Sequence, residues 1–116
     1  MLNVKPTIYN ALKTDTVLAL LATGGIFADR NQDGGTYPCI VYTEISNVPA
    51  LNADNVEDIS RVTVQISVMT DSGSTSAIAE RVDEIMTLAL GFNRQFSGDL
   101  MDGNVKIKAM RYTTIG

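Results

Sequence analysis

Residues 59–69 show the clearest hydrophobic pattern in the chain. From residue 61 to residue 68, every second residue is β-branched and apolar, and the residues that alternate with them are polar or charged. This alternation is typical of a β-strand with one buried face and one face that meets water or a partner. The apolar positions are Val62, Val64, Ile66 and Val68, and the alternating polar ones are Arg61, Thr63, Gln65 and Ser67.

Three further strands are predicted. Residues 39–47 are rich in β-branched and aromatic side chains, which favour strands. The sequence Asp102-Gly103-Asn104 tolerates positive φ and predicts a hairpin, with strands at about 94–101 and from 105 to about 113. In the last strand one face should carry Val105, Ile107 and Ala109, and the other Lys106, Lys108, Met110 and Tyr112.

Two segments have helical character. Residues 76–90 place apolar side chains on one face at helical spacing, after the serine-rich turn 71–76 that can cap the helix and before Gly91, which can end it. The N-terminal segment 8–27 is also predicted to be helical. Pro6 suits its first turn, and Asp15 can cap a second short helix that carries Val17, Leu18, Leu20 and Leu21 and stops at Gly24 and Gly25.

Polar loops are predicted at 29–38 and at 48–58, the second of them acidic. The order is then helices, two strands, helix, two strands. We therefore predict one domain over residues 1–116. Its expected fold class is α+β, with a mainly antiparallel four-stranded sheet packed with an N-terminal helical segment and one amphipathic helix at about residues 76–90.

The residue types restrict the chemistry. The 116 residues include no histidine and one cysteine, Cys39. Histidine-dependent catalytic triads and the usual zinc sites are thereby excluded, and Cys39 at the start of a strand is best interpreted as a small buried thiol. The carboxylates on helix 76–90 fit a solvated face. We expect no catalytic, cofactor-binding or metal-binding residues, and no enzyme activity.

A partial calcium-loop pattern occurs at residues 29–34, DRNQDG. The twelfth position of such a loop should be glutamate but is Ile40, and Pro38 interrupts the loop. We interpret these residues as a turn. The N-terminus loosely resembles a signal peptide, but Asp15 interrupts its apolar run. No stretch approaches the ~20 apolar residues that span a bilayer, so no membrane segment is expected.

Three segments together resemble a known family. They are LLATGGIF (20–27), YPCIVYTEIS (37–46) and RVTVQISVMTDSGSTSAIAERVDEIM (61–86). In order and spacing the chain resembles the phage tail completion family, which includes tail terminator and tail-to-head joining proteins of long-tailed, non-contractile phages. Tyr37 precedes Pro38 here, whereas the family pattern places the proline first.

The resemblance implies a structural protein of a phage or prophage virion tail, assembled in the host cytoplasm. Such a protein would form a ring, of six copies, on the tail tube and join the tail to the head. Its implied partners are other copies, the tail tube protein and a head connector or stopper protein, with DNA passing through the lumen without specific binding. A head-completion or neck protein and a stand-alone α+β ligand-binding module remain alternatives.

Two charged groups are candidate assembly contacts. The acidic one consists of Asp54, Glu57 and Asp58 in the segment predicted as a loop. The basic one consists of Lys106, Lys108 and Arg111 on the last strand. The basic residues fit a solvated strand face, a sheet edge protected by lysines, or salt bridges to the acidic loop of a neighbouring copy.

Overall fold

A single five-stranded sheet forms the centre of the molecule. A computed structural model describes residues 3–13, 25–29, 37–53, 56–71 and 73–115. The strands are β1 (Ile26–Ala28), β2 (Cys39–Ala53), β3 (Val56–Thr70), β4 (Asn93–Asp102) and β5 (Val105–Ile115). Their order across the sheet is β1-β2-β3-β5-β4. Strand β1 is parallel to β2, and all other neighbours are antiparallel.

Two helices pack on one face of this sheet. Helix α1 spans Lys5–Lys13, and helix α2 spans Ser76–Glu84 and continues into a π-helical turn at Ile85–Ala89. Their apolar faces meet the alternating apolar residues of the strands in one core. The fully buried side chains of this core are Ile8, Leu12, Ile40, Val62, Ile66, Val68, Val82, Met86 and Tyr112. Among the described residues, none of the helices has the length and apolar character to cross a membrane.

The predicted α+β class is confirmed, but the sheet has five strands instead of four. The additional strand is β1, whose first two residues lie at the end of the segment 8–27 that the sequence predicted as helix. Its backbone is held by pairing with β2, since Ile40 N donates to Gly25 O and Asp29 N donates to Tyr42 O, both at 2.9 Å. Pairing with β2 therefore decides the conformation of these residues, which follow Gly24 and Gly25, where the helical pattern stops. The predicted second short helix lies outside the described residues.

The prediction of a loop at 48–58 is wrong. Strand β2 continues to Ala53 and β3 begins at Val56, so the two form one long antiparallel hairpin. Pro49 argued against a strand in the sequence, because proline lacks the N–H that an interior strand needs. Proline is tolerated at sheet edges and bulges. The register between β2 and β3 shifts before Pro49, between Glu44 and Ser46, and again directly after it, between Pro49 and Leu51.

The second half of the chain follows the prediction closely. The expected helix 76–90 is present as α2 and the π-helical turn, and Gly91 follows it with φ +74°. The predicted hairpin joins β4 to β5, with Gly103 at φ +61°. The two faces of β5 are also as predicted, because Met110 and Tyr112 belong to the core while Ala109 is buried outside it.

The core supplies a test by a matched pair of substitutions. Ile66 is fully buried at the centre of the sheet, whereas Ile115 is 56% exposed. We expect Ile66→Ala to lower the free energy of unfolding by about 2–5 kcal/mol, since it leaves a cavity. The control Ile115→Ala should cost less than about 1 kcal/mol. Chemical denaturation measures both, and equal losses would contradict the described core.

Candidate functional site

The sheet has a second face, opposite the one that the helices cover. Because side chains alternate along a strand, this second face carries residues that do not belong to the core beneath the helices. Cys39, Val41, Ser67 and Ala109 lie on it and are all buried. Arg111 and Phe96 lie on the same face and are exposed. No described helix packs on this face.

Cys39 is fully buried on this second face. Burial raises the pKa of its thiol from 9.0 to about 11. The thiol is therefore protonated near neutral pH, and a protonated thiol is a poor nucleophile. The interpretation of Cys39 as a small buried side chain is confirmed.

A polar cluster joins helix α2 to strands β4 and β5. The Tyr112 hydroxyl donates to Asp83 Oδ1 at 2.9 Å, and Arg94 Nη1 donates to Asp83 Oδ2, also at 2.9 Å. Burial raises the pKa of Tyr112, and the hydrogen bond and negative charge of Asp83 raise it further, while the charge of Arg94 lowers it. The cluster is structural, because each carboxylate oxygen of Asp83 has a donor from a different strand.

The sequence placed Asp83 on a solvated helix face and so missed this cluster. The signal that could have found it was Tyr112, which lies on the same face of β5 as Met110, in the core. A buried tyrosine hydroxyl needs a hydrogen-bond partner. No pattern in the sequence identifies Asp83 as that partner.

The three predicted basic residues occupy two faces of the sheet. Lys106 and Lys108 lie on the helix-covered side, where Lys106 Nζ donates to Gly73 O at 3.0 Å and Lys108 Nζ lies 3.5 Å from Asp99 Oδ1. Arg111 lies on the opposite side. Strand β5 runs between β3 and β4, so it is not a sheet edge. The interpretation of these lysines as edge protection is therefore wrong.

Arg111 belongs to a chain of contacts on the second face. Its Nε donates to Gln65 Oε1 at 3.0 Å, and Gln65 Nε2 donates to Ser67 Oγ at 3.2 Å. The guanidinium carbon lies 5.7 Å from the centre of the Phe96 ring, within cation–π range. The Phe96 ring also covers Gly98, where an added Cβ would approach the ring to 2.7 Å. These contacts fix the Phe96 ring over the β4 edge.

The predicted acidic residues lie at the far end of the molecule from Lys106. Glu57 and Asp58 are in the first residues of β3, and Asp54 lies outside the described residues. Lys106 pairs in register with Thr70, the last residue of β3. Fifteen residues of strand separate the two ends of β3, which is roughly 45 Å at ~3.3 Å per residue. The structure therefore does not bring the two groups together within one copy.

A hollow of about 240 Å³ lies between α2 and strands β4 and β5. Its cations are already paired, Arg94 with Asp83 and Lys108 with Asp99. Its lining residues are Ser76, Ala79, Glu80, Asp83, Arg94, Ser97, Lys108 and Met110. Such paired charges suit a surface contact more than the capture of a small ion.

Metal-ligating side chains do not gather in groups of three anywhere in the described part of the chain. Of the partial calcium loop, the structure describes Asp29 but not residues 30–36. The Asp29 carboxylate lies 3.3 Å from Lys5 Nζ, so it already has a cationic partner.

Large apolar side chains are exposed on the outermost strand β4 and on the part of β2 beyond its pairing with β1. On β4, Phe96 is 49% and Leu100 is 55% exposed. On β2, Ile45 and Val48 are each 47% exposed. Sequence patterns do not identify these residues, because their exposure depends on strand order, which cannot be read from the chain.

Burial of Cys39 predicts a pH dependence of stability. The unfolded thiol ionises near its ordinary pKa of 9.0, while the folded thiol stays protonated to about 11. The folded state thus binds more protons in this window, so the free energy of unfolding should fall there by about 2–3 kcal/mol as pH rises. The contribution is fully present below pH 9.0. Denaturant titrations at a series of pH values give the free energy of unfolding of wild type and of Cys39→Ala. The value for wild type should fall toward that of the variant across this window, and a constant difference between them would contradict the prediction.

The hydroxyl of Tyr112 predicts a second effect. Tyr112→Phe removes the donor to Asp83 but keeps the ring, so it should lower the free energy of unfolding by about 1–2 kcal/mol. Tyr9→Phe is the control, because Tyr9 is 38% exposed on α1. Its free energy of unfolding should change by less than about 0.5 kcal/mol. Thermal or chemical unfolding compares the two; a neutral Tyr112→Phe would show that the hydrogen bond adds nothing.

Comparison with known proteins agrees with this picture of a structural domain. A search of curated proteins found no match. A family model described as "Tail completion protein gp17" matches residues 6–112, which is nearly the whole chain. The match includes the core strands, helix α2, the Asp83 cluster and most of β5. The chain therefore belongs to the family of phage tail completion proteins.

Proposed function

We propose that this protein forms a ring of six copies that caps the head-proximal end of the phage tail tube, stops its growth and joins it to the head. The observation that carries the proposal is the family match over residues 6–112. Membership points to a structural role rather than an enzymatic one. The buried, protonated thiol of Cys39 and the paired carboxylate of Asp83 are consistent with that role.

The polarity of the molecule supports contacts above and below such a ring. The acidic hairpin end and the Lys106 end lie at opposite ends of β3. Copies related by rotation about a ring axis keep a common orientation. If β3 runs along that axis, every hairpin end lies on one rim and every Lys106 on the other. One rim would meet the tail tube protein and the other a head connector or stopper protein.

The charge of the chain fits a passage for DNA. The net charge is −4, and an acidic wall repels the phosphate backbone. DNA would then pass through the lumen without specific binding. The protein would reside in the virion tail and assemble in the cytoplasm of the bacterial host.

The direct experiment measures oligomeric state and binding to the tube. Native mass spectrometry of the purified protein should give a six-copy species, and electron microscopy should show one ring at a single end of assembled tail tubes. Tubes capped in this way should not elongate when more tube protein is added. A strict monomer at high concentration would overturn the ring, and binding to head connectors but not to tubes would indicate a neck protein instead.

The acidic hairpin end supplies a test of the proposed contacts. We expect the triple variant Asp54→Lys, Glu57→Lys, Asp58→Lys to impair assembly about tenfold or more, because reversed charges repel a basic partner surface. Circular dichroism should show an unchanged fold. Adding Lys106→Glu and Lys108→Glu should not restore assembly, because the polarity proposed above puts Lys106 on the rim opposite the acidic end. Arg111→Glu should not restore it, since Arg111 lies on the other face.

The matched control reverses three acidic residues elsewhere. Asp71, Glu80 and Glu84 are exposed at or near helix α2, so Asp71→Lys, Glu80→Lys, Glu84→Lys changes the net charge by the same amount. Normal assembly of the control with impaired assembly of the hairpin variant would locate the contact. Unchanged assembly of the hairpin variant would show that these residues face solvent.

A further inference from the structure

We infer that neighbouring copies in the ring join through the two outermost strands of their sheets, with β4 of one copy pairing antiparallel with the outer side of β1 in the next. The inference rests on the proposed ring and names the surfaces that build it. Five features of the two strands support it: their position in the sheet, their level, their directions, their backbone groups and their side chains.

Strands β1 and β4 lie at opposite ends of the strand order. Among the residues that the structure describes, no further strand pairs with either one on its outer side. Neither the IFA of β1 nor the NRQFSGDLMD of β4 contains proline or lysine, the residues that most often protect an edge. A ring needs a different surface on each side of every copy, and the two outermost strands of one sheet supply such a pair.

The two strands lie at the same level along the strand direction. Rows of register partners cross the whole sheet from β1 through β2, β3 and β5 to β4. Along these rows, residues 26, 27 and 28 are level with residues 99, 98 and 97. Rotation about a ring axis preserves this level when the strands run roughly along the axis. Residues 97–99 of one copy therefore meet residues 26–28 of the next.

Strand direction also permits this contact in a ring. Strands β1, β2 and β5 run in one direction, and β3 and β4 run in the other. Rotation about the ring axis preserves these directions. Strand β4 of one copy thus meets β1 of the next in opposite directions. Such a meeting forms an antiparallel ladder, which needs no reversal of either copy.

The backbone of β1 directs two residues toward its outer side. Gly25 O accepts a hydrogen bond from Ile40 N, and Asp29 N donates one to Tyr42 O. Alternate residues of a strand direct their N–H and C=O groups to opposite sides, so residues 25, 27 and 29 bond to β2. Residues 26 and 28 therefore direct their N–H and C=O groups away from β2, toward the neighbouring copy.

The backbone of β4 presents the matching set. Asp102 pairs with Val105 across the two-residue turn of the hairpin, and such a turn is closed by a hydrogen bond between the residues that flank it. Alternate residues counted back from Asp102 therefore bond to β5, and residues 97 and 99 direct their groups outward. Since residue 26 is level with 99 and residue 28 with 97, both pairs can exchange hydrogen bonds in both directions.

Side chains on the second face complement each other across this contact. Phe27 would lie opposite Gly98, and Leu100 opposite Gly25. The Phe27 ring lies over Gly25 and the Phe96 ring over Gly98, since a Cβ added at either glycine would approach the ring to 2.7 Å. Pairing would therefore bring the two rings and the leucine side chain side by side. Phe96 and Leu100 are about half exposed in one copy, so the contact removes apolar surface from water.

A symmetric contact between two β4 strands is the competing arrangement. A two-fold axis would also pair the strands antiparallel, but it would use both β4 edges and close a dimer. It would leave β1 without a role in assembly. The proposed ring therefore favours β4 with β1.

Disulfide crosslinking tests the pairing. Ala28→Cys and Ser97→Cys place thiols at level positions on the helix-covered side of the sheet. In one copy these positions are four strand spacings apart, which is roughly 19 Å. A disulfide needs Cα atoms within about 7 Å, so one between these two positions must join two copies. A second preparation carries Asp99→Cys in place of Ser97→Cys and samples a neighbouring register.

Chains that carry both cysteines are assembled and oxidised, and the products are separated in denaturant without reductant. Wild type is the first control, because its Cys39 is fully buried. The single variants are the second. The third combines Ala28→Cys with Leu88→Cys, at an 81% exposed site on the helical layer.

We expect the β1–β4 double variant to give a series of covalent oligomers of up to six copies, at about tenfold or more the yield of any control. A dimer from Ser97→Cys or Asp99→Cys alone would overturn the inference in favour of the symmetric contact. Six-copy rings that give no crosslink with either β4 position would overturn it while leaving the proposed function intact. A wild-type protein that remains monomeric would overturn the proposed function itself.

A charge at the edge gives an independent readout. Leu100→Lys should shift the protein from rings to monomers in native mass spectrometry, with an apparent affinity about tenfold or more weaker, since lysine at an edge opposes strand addition. Leu88→Lys adds the same charge on the helical layer and should leave the rings intact. Rings that tolerate Leu100→Lys as well as Leu88→Lys would count against the β4 contact.

Discussion

Pairing on both sides of β3 is the constraint on which the rest of the structure depends. This strand pairs with β2 along one edge and with β5 along the other, and the alternating residues that it buries lie at the centre of the core. In the described part of the chain, both helices pack on the apolar face that β3 shares with its neighbours. Helix α1 contributes Ile8 and Leu12, and helix α2 contributes Ile78 and Val82, to the core that β3 organises. The outer strand β4 is positioned by pairing with β5 and by the contact of Arg94 with Asp83, and it stays exposed along its length.

Elements with a strong local signal could be predicted from the sequence. The alternation around Ile66, the helical spacing from Ile78 to Met86 and the turn residues at Gly103 each depend on neighbours in the chain, and each prediction was right. The N-terminal helix was predicted correctly at its start, in α1. The predictions for residues 26 and 27 and for 48–58 failed because the structure there depends on distant partners. Strand β1 exists through its pairing with residues 40–42, and the far part of β2 exists through its pairing with the start of β3. Neither pairing leaves a local pattern.

The candidate surfaces also combine features that the sequence reveals with features that depend on distant parts of the chain. Composition identified the charged groups, but their arrangement depends on strand order. Lys106 and Arg111 are five positions apart in one strand, so they face opposite sides of the sheet, and β5 is covered on both edges. The exposure of the apolar residues on β4, and on the part of β2 beyond its pairing with β1, became interpretable only when strand order was known. Family membership, by contrast, depended on the order and spacing of segments along the chain, which a sequence preserves.

The Asp83 cluster gives the molecule a mechanical property. Asp83 on the helix accepts hydrogen bonds from Tyr112 on an inner strand and from Arg94 on the outermost strand. These side chains therefore link the helix to the edge of the sheet. A partner that binds the outer strand therefore also stabilises the packing of the helix. Loss of helix packing would in turn weaken the binding of the outer strand to that partner. By thermodynamic linkage the two effects have the same magnitude. Incorporation into a larger assembly would thus stabilise the helix packing inside each subunit as well as the outer strand at its surface.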